Sequence, residues 1–332
     1  MIDGLSNTAI ATYFQGKTVL VTGAAGFVGR HLVHHLSALG AQVVALDRIA
    51  GESLPRVHWV VTDVLELTAK DFGSIKLDIL FHLAAVVGVT YAAQHPAETV
   101  SVNAVGTSHV IKLARTLGVK SICLMSSSEV YGEPVSIPIT EKSILNPLSV
   151  YGWSKVCAEQ ILEAHAQNGD LCAVVIRPFN VYGPDQRNDF VVSRFLKLAM
   201  QGLPLKIAGT GMQRRNFTFI DDLILGMLLA ITKNKFGYNV YNIAGVGDIS
   251  ILELADLVIS MIGSSAHPIH VPLSDLERDT ATEVLVRIAS FEKARREIGY
   301  QPQTSLENGL KITYTSMSLA SNQIEPLVHL SR

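Results

Sequence analysis

Short apolar runs and helically spaced apolar sets alternate along the first half of the chain. Residues 17–21, Lys-Thr-Val-Leu-Val, form a β-branched run suited to a strand buried on both faces. Over 27–39 the apolar positions are Phe27, Val28, Leu32, Val33, Leu36 and Leu39, which predicts a helix, and Gly40 supplies its C-cap. Residues 42–46 predict a second strand ending at Asp47, and 121–125 another. The segment 77–93 predicts a buried strand plus a loop, and 97–117 and 150–167 predict long helices. Strand, helix and strand recur in this way to about Ile176, which predicts an α/β fold with a doubly wound parallel sheet. Beyond Pro184 the pattern loosens. The expected organisation is a main domain over 1–184 with a return segment at about 240–262. A smaller C-terminal cap is expected from 185–239 and 263–315, and a weakly fixed tail over 316–332.

Between the first strand and the first helix lies Thr22-Gly23-Ala24-Ala25-Gly26-Phe27-Val28-Gly29, three glycines at spacing three. A strand, a glycine turn and a helix form the phosphate cradle of a Rossmann unit, where backbone and helix N-terminus meet a pyrophosphate. Asp47 stands about twenty residues beyond the turn, where the adenosine ribose is held. Its carboxylate repels a 2′-phosphate and so predicts NAD, while Arg48 beside it is the residue that could tolerate that phosphate.

A second cluster predicts what the dinucleotide is for. Tyr151 and Lys155 lie four apart in a predicted helix and share a face. An ammonium beside a phenol favours the phenolate, which can take a proton from a substrate hydroxyl while hydride leaves. Ser126-Ser127-Ser128-Glu129 follows the strand at 121–125, and strand carboxyl ends are where open α/β sheets bind ligands. The Ser127 hydroxyl is placed to hydrogen-bond the reacting alcohol.

With these motifs the chain resembles the extended short-chain dehydrogenases/reductases, in the NAD-dependent nucleotide-sugar epimerase/dehydratase branch, from about Lys17 to Gly309. The glycine turn has that family's TGxxGxxG form. The resemblance implies cofactor contacts from Gly23, Gly26, Phe27, Val28, Gly29, Asp47 and Arg48. It adds Asp63-Val64 at the adenine, Leu83, Ala84 and Ala85 of the His-Leu-Ala-Ala stretch, Asn103 before Gly106-Thr107, and Pro178. Tyr151 and Lys155 also border the nicotinamide ribose. For the substrate it implies Val87, Thr90, Ser128, Asn180 of the Arg177–Pro184 stretch, Arg215 of the Gln213–Asp222 stretch at the diphosphate, and Arg287 near the nucleotide end. Arg214 is read as a solvated charge; a guanidinium fork suits phosphate, as Arg215 requires. The helices 97–117 and 150–167 would form a homodimer interface.

The shared first step of such enzymes is oxidation of the sugar at C4 to a 4-keto intermediate. Glu129 after Ser127-Ser128 points first to a 4,6-dehydratase-like reaction, with Glu129 as the base at C5 and the catalytic set Ser127, Glu129, Tyr151 and Lys155. The alternatives are a 4-epimerase, of UDP-glucuronate or UDP-hexose type, and then a UDP-glucuronate decarboxylase, which the run 191–195 resembles. Ser128 stands where many 4,6-dehydratases carry Asp, and Thr90 and Ala92 depart from the loop of UDP-glucuronate 4-epimerases. A non-catalytic NAD-binding regulator has no use for Ser127, Tyr151 and Lys155 together.

Composition fits this picture. A net charge of −2 over 332 residues carries no footprint for nucleic acid, and no segment reads as a membrane span or leader. Cys123, Cys157 and Cys172 lie in apolar contexts without metal or disulfide spacing, as expected of a cytoplasmic protein. His31, His34 and His35 have helical spacing but no carboxylate to complete a metal site, so no metal is expected.

Overall fold

The structure, a computed structural model of the chain, describes residues 8–276 and 282–324, with side chains through 320. Seven parallel strands form the main sheet: β1 (Thr18–Thr22), β2 (Gln42–Asp47), β3 (Val57–Val61), β4 (Ile79–His82), β5 (Ser121–Met125), β6 (Cys172–Pro178) and β7 (Gly237–Ile243). Their spatial order is β7-β6-β5-β4-β1-β2-β3. The order reverses between β1 and β4, so a crevice opens beyond Thr22 and His82, where doubly wound sheets take their ligands.

Period-two alternation fills both faces of the sheet. Val19, Val21, Val43, Ala45, Phe81, Cys123 and Val174 pack on one face against α1 (Phe27–Ala38) and α4 (Ile220–Lys233). Leu20, Val44, Leu46, Leu80, Ile122, Leu124 and Val175 pack on the other against α2 (Thr107–Thr116) and α3 (Val150–Ala166). The expected elements appear at nearly the expected places. The long helix at 97–117 is instead Pro96–Val100, a wider π-type turn over Ser101–Gly106, and α2.

Beyond Pro184 two helices pack differently from the expected division of the chain. The helix α4, within the stretch expected to be cap, packs on α1 and on β5 and β6; it is apolar nearly all round, with eleven buried residues, and only the main core can cover such a helix. The returning segment is the strand β7, which starts at Gly237, whereas the helix Ile251–Ile262 packs on the cap helix Val191–Met200 and on the paired strands Leu205–Ala208 and Pro268–Val271. A small sheet sets Arg214–Arg215 between Ile249–Ser250 and Val286–Arg287. The last helix, Leu306–Ile324, runs into the stretch expected to be a tail; residues 325–332 lie outside the described ones. Among the described residues no helix is long and apolar enough to cross a membrane.

Candidate active site

The glycine turn is shaped by close approach. A Cβ on Gly29 would collide with the Gly23 carbonyl. Gly23 has φ +70° and would put a Cβ 2.7 Å from the Ala84 nitrogen. At the start of α1, Gly26 caps without a side-chain bond and no acidic residue lies in the first turn. The N-terminal N–H groups and their positive potential therefore face the crevice unneutralised, which suits a pyrophosphate. The Asp47 carboxylate accepts the backbone N–H of Ala25 at 3.0 Å and of Arg48 at 2.7 Å, which ties the end of β2 to the turn. The Arg48 side chain is exposed. Asp63 accepts from the Leu65 N–H at 2.9 Å, beside buried Val64.

The floor of the crevice is wired through a buried histidine. Thr107 Oγ1 donates to the Asn103 carbonyl at 2.6 Å, so it accepts from His82 Nε2 at 3.0 Å. Nδ1 then accepts from Thr22 Oγ1 at 2.7 Å. Burial holds His82 down to about 3, so the ring is neutral. Leu83 and Ala84 bond back to Thr22. The Asn103 side chain clasps Val86 through both its N–H and its carbonyl, and donates to Ser154 Oγ at 2.9 Å. The stretch 83–86 is thus fixed between β1 and the helix that carries Tyr151.

Ser149 caps α3 by accepting the Gly152 N–H. Tyr151 and Lys155 are both buried on it, with the ammonium 6.0 Å from the phenol ring centre. Lys155 Nζ donates to the Met125 carbonyl at 2.9 Å, at the end of β5. Burial pulls the Lys155 ammonium down to about 8, against the supporting charge of Glu159. Burial pushes the Tyr151 phenol up to about 12; the hydrogen bond from Ser127 lowers it and the Glu129 charge raises it. Ser127 also accepts the Glu129 N–H at 3.2 Å, and so caps the turn Ser128–Tyr131.

In the turn after β5, Glu129 meets a partner that its neighbours in sequence do not announce. Arg287 Nη1 and Nη2 donate to both carboxylate oxygens, the latter at 3.1 Å. Arg287 is 5 % exposed and Glu129 24 %. Asn180 has φ +38° and donates to the Asn216 carbonyl. Arg215 points its guanidinium at the carbonyls of Arg214, Val284 and Leu285 and pairs with Glu283. Arg214, expected as a solvated charge, is held by Asp248 and Glu253. Pro178 ends β6, Ser128 is buried, Val87 is exposed, and Thr90 opens the helix Val89–Gln94.

Behind these groups lies a network that sequence reasoning missed. Glu159, 1 % exposed, accepts from Arg177 at 2.9 and 2.5 Å and from Ser126. Its partners come from β6 and from the residue that follows β5, so no local spacing betrays it. Cys157, expected in a buried context, is exposed; Cys123 and Cys172 are buried. His31 bonds to the Pro184 carbonyl, His34 to Glu52 and His35 to Asp221, and no cluster among the described residues suits a metal.

Comparison with known proteins agrees with this geometry. Residues 19–244 match the NAD dependent epimerase/dehydratase family. UDP-glucuronic acid decarboxylase 2 of Arabidopsis thaliana is 31 % identical over 90 % of this chain and 67 % of its own length. UDP-glucose 4-epimerase of Mycolicibacterium smegmatis is 32 % identical over 89 % of this chain and 96 % of its own. The structure of MoeE5 in complex with UDP-glucuronic acid and NAD superposes with a TM-score of 0.84 at 30 % identity, covering 91 % of this chain and 99 % of that one.

Proposed function

The chain belongs to the NAD-dependent epimerase/dehydratase family, and on that premise we propose that it oxidises a UDP-uronic acid at C4 and releases carbon dioxide from the resulting β-keto acid. The observation that carries this reading is the Glu129–Arg287 pair. A base that removes the C5 proton must present an oxygen to it, and the two-pronged ion pair with one guanidinium fixes where both Glu129 oxygens point. Decarboxylation needs no such base, because the electrons for the C4–C5 enolate come from the breaking C5–C6 bond. It needs cationic stabilisation near the developing charge, which Arg287 supplies. The similarity to a UDP-glucuronic acid decarboxylase and to a structure holding UDP-glucuronic acid supports that substrate class.

NAD supplies the hydride acceptor. The glycine turn, Asp47 and Asp63 would hold its adenosine and pyrophosphate end, and Lys155 its nicotinamide ribose. Tyr151 takes the proton of the C4 hydroxyl, guided by Ser127. Carbon dioxide leaves, C5 takes a proton from solvent, and Tyr151 returns its proton to the C4 oxygen as the ketone is reduced. Arg215 and Asn180 border the diphosphate and sugar. Val100, Val105 and Trp153, left exposed on the 96–116 helices and α3, support a homodimer through those faces.

A second reading has its own support: Glu129 stands at the sheet end beside Ser127, and if Arg287 turns to the diphosphate, the freed carboxylate could take the C5 proton for dehydration. Purified protein with NAD⁺ and a panel of UDP-sugars, read by mass spectrometry, separates the readings. Loss of carbon dioxide from UDP-glucuronate, with deuterium at C5 when run in D₂O, is expected. Loss of water from a UDP-hexose would transfer the assignment to dehydration. Unchanged mass with inverted C4 by NMR would transfer it to epimerisation, and no NADH absorbance with any sugar would refute the oxidation itself.

A further inference from the structure

We propose that the buried Arg177–Glu159 pair is the positioning element of the active site, holding Ser127, the Tyr151 helix and the Glu129–Arg287 pair in mutual register from behind. The inference rests on the reading of Tyr151 as the base. Glu159 lies on α3 one turn beyond Lys155 and two beyond Tyr151. It also receives the hydroxyl of Ser126, the residue before Ser127. Arg177 stands one residue before the end of β6. Its Nη1 donates to the Tyr131 hydroxyl at 2.9 Å, and Tyr131 closes the turn that presents Glu129. Tyr131 in turn donates to Asn242 Oδ1 at 2.6 Å, at the end of β7. The Asn242 amide donates to the carbonyls of Ile139 and Ser290, and the backbone of Ile139 pairs with residues 288 and 290 on either side of Ala289, directly after Arg287. Every proposed catalytic side chain thus hangs within two turns of helix or a few residues of strand from one chain of buried bonds.

Stability alone does not account for the pair. Replacing a buried ion pair with apolar residues of similar volume is often neutral or stabilising, whereas removing one partner is strongly destabilising. What apolar residues cannot reproduce is direction, and a misplacement of about 1 Å can lower turnover by about 10²-fold.

The test compares Arg177→Met/Glu159→Leu, Glu159→Gln and Tyr151→Phe with wild type, using UDP-glucuronate or whichever UDP-sugar of the panel the wild type converts. The double variant is expected to melt at or above the wild-type temperature and to bind NAD within about twofold. Its kcat should fall about 10²-fold with little change in KM. Glu159→Gln keeps the size and one acceptor oxygen but sets an N–H toward the Arg177 guanidinium in place of the other; its pH–kcat profile should lose activity at lower pH on the basic side, because the Lys155 ammonium loses its supporting carboxylate. A folded double variant with wild-type kcat would overturn the proposal. If the double does not fold, Tyr131→Phe, which removes only the neutral hydroxyl between Arg177 and Asn242, decides: an unchanged kcat would overturn it equally. Tyr151→Phe separates the failures. Retained turnover there means that the base is misassigned; an inactive Tyr151→Phe beside an active double variant means that only the positioning role is wrong.

Discussion

Two side chains of opposite tendency meet at the centre of the site. Tyr151 is a base that burial makes reluctant to ionise, and Lys155 is a cation that burial makes reluctant to stay charged. Tyr151→Phe should keep NAD bound and lower turnover by about 10²-fold or more, since the proton acceptor is gone; single-turnover absorbance at the NADH band with parallel calorimetry checks both halves. Lys155 makes a second prediction, about stability. Its ammonium titrates near 8 in the fold instead of its ordinary 10.5. Below about 8 both folded and unfolded chains are charged, and the burial penalty is present in full. Between those values the unfolded chain holds a proton that the folded one has released, so stability rises with pH and the penalty fades. Lys155→Met should therefore be more stable than wild type near pH 7, by on the order of 2–3 kcal/mol at most. The advantage should shrink as pH climbs toward 10 in thermal melts, even though the variant is inactive and binds NAD more weakly. A constant gap across that range would contradict the assignment. Tyr151, Lys155 and Ser127 were legible in the sequence because helix period and strand-end position are local properties. The raised phenol was not, because burial is set by packing that spacing does not report.

Among the elements, β2 and the cap strand Val286–Arg287 carry the clearest consequences. Asp47 at the end of β2 is already oriented by the Ala25 N–H, and its expected role is to hold the adenosine ribose. NAD should bind more tightly than NADP by about tenfold or more, about 1.4 kcal/mol; equal dissociation constants by calorimetry would remove this role. Arg287 lies in the small sheet with Arg214–Arg215 and Glu129 in the turn after β5, so their pair ties that small sheet to the main one. Arg287→Ala should lower kcat by about 10²–10³-fold, as loss of a group that stabilises developing charge requires, and leave NAD affinity unchanged. A variant with normal kcat and poor NAD binding would show that the residue serves the cofactor instead. The glycine turn and the strands β1, β2 and β5 could be read in advance from their apolar runs and punctuation. The Glu129–Arg287 pair could not, since its members are 158 residues apart and only the topology brings them together. The wide turn over Ser101–Gly106 was equally hidden, because apolar spacing does not distinguish it from an ordinary helix.

At the scale of the molecule, cofactor and fold share their supports. The 83–86 stretch, the glycine turn and α3 are tied through Thr22, His82 and Asn103, so NAD should stabilise the whole main domain. At about 100 times its dissociation constant it should add about 2.7 kcal/mol, a melting shift of a few degrees. Gly29→Ala, which closes the turn, should abolish that shift in a calorimetric melt; a full shift would show that the phosphates lie elsewhere. The sheet and its two helical layers followed from the alternation of apolar runs, whereas the allotment of α4 to the main layer and of Ile251–Ile262 to the cap did not. Both helices are strongly apolar, and sequence alone does not say which surface each covers.

The strand β7 pairs along the full length of β6, from Gly237 beside Cys172 to Ile243 beside Pro178. During synthesis, β6 leaves the ribosome with one edge paired to β5 and the other open, and its cover follows roughly sixty residues later. At about 5–20 residues per second, that edge stays bare for several seconds in every newly made molecule. The run Cys-Ala-Val-Val-Ile is apolar and β-prone, the kind of edge that captures other strands. The nascent chain is therefore exposed to aggregation in the interval between its sixth and seventh strands, and pauses or truncations there should increase the fraction that enters inclusion bodies.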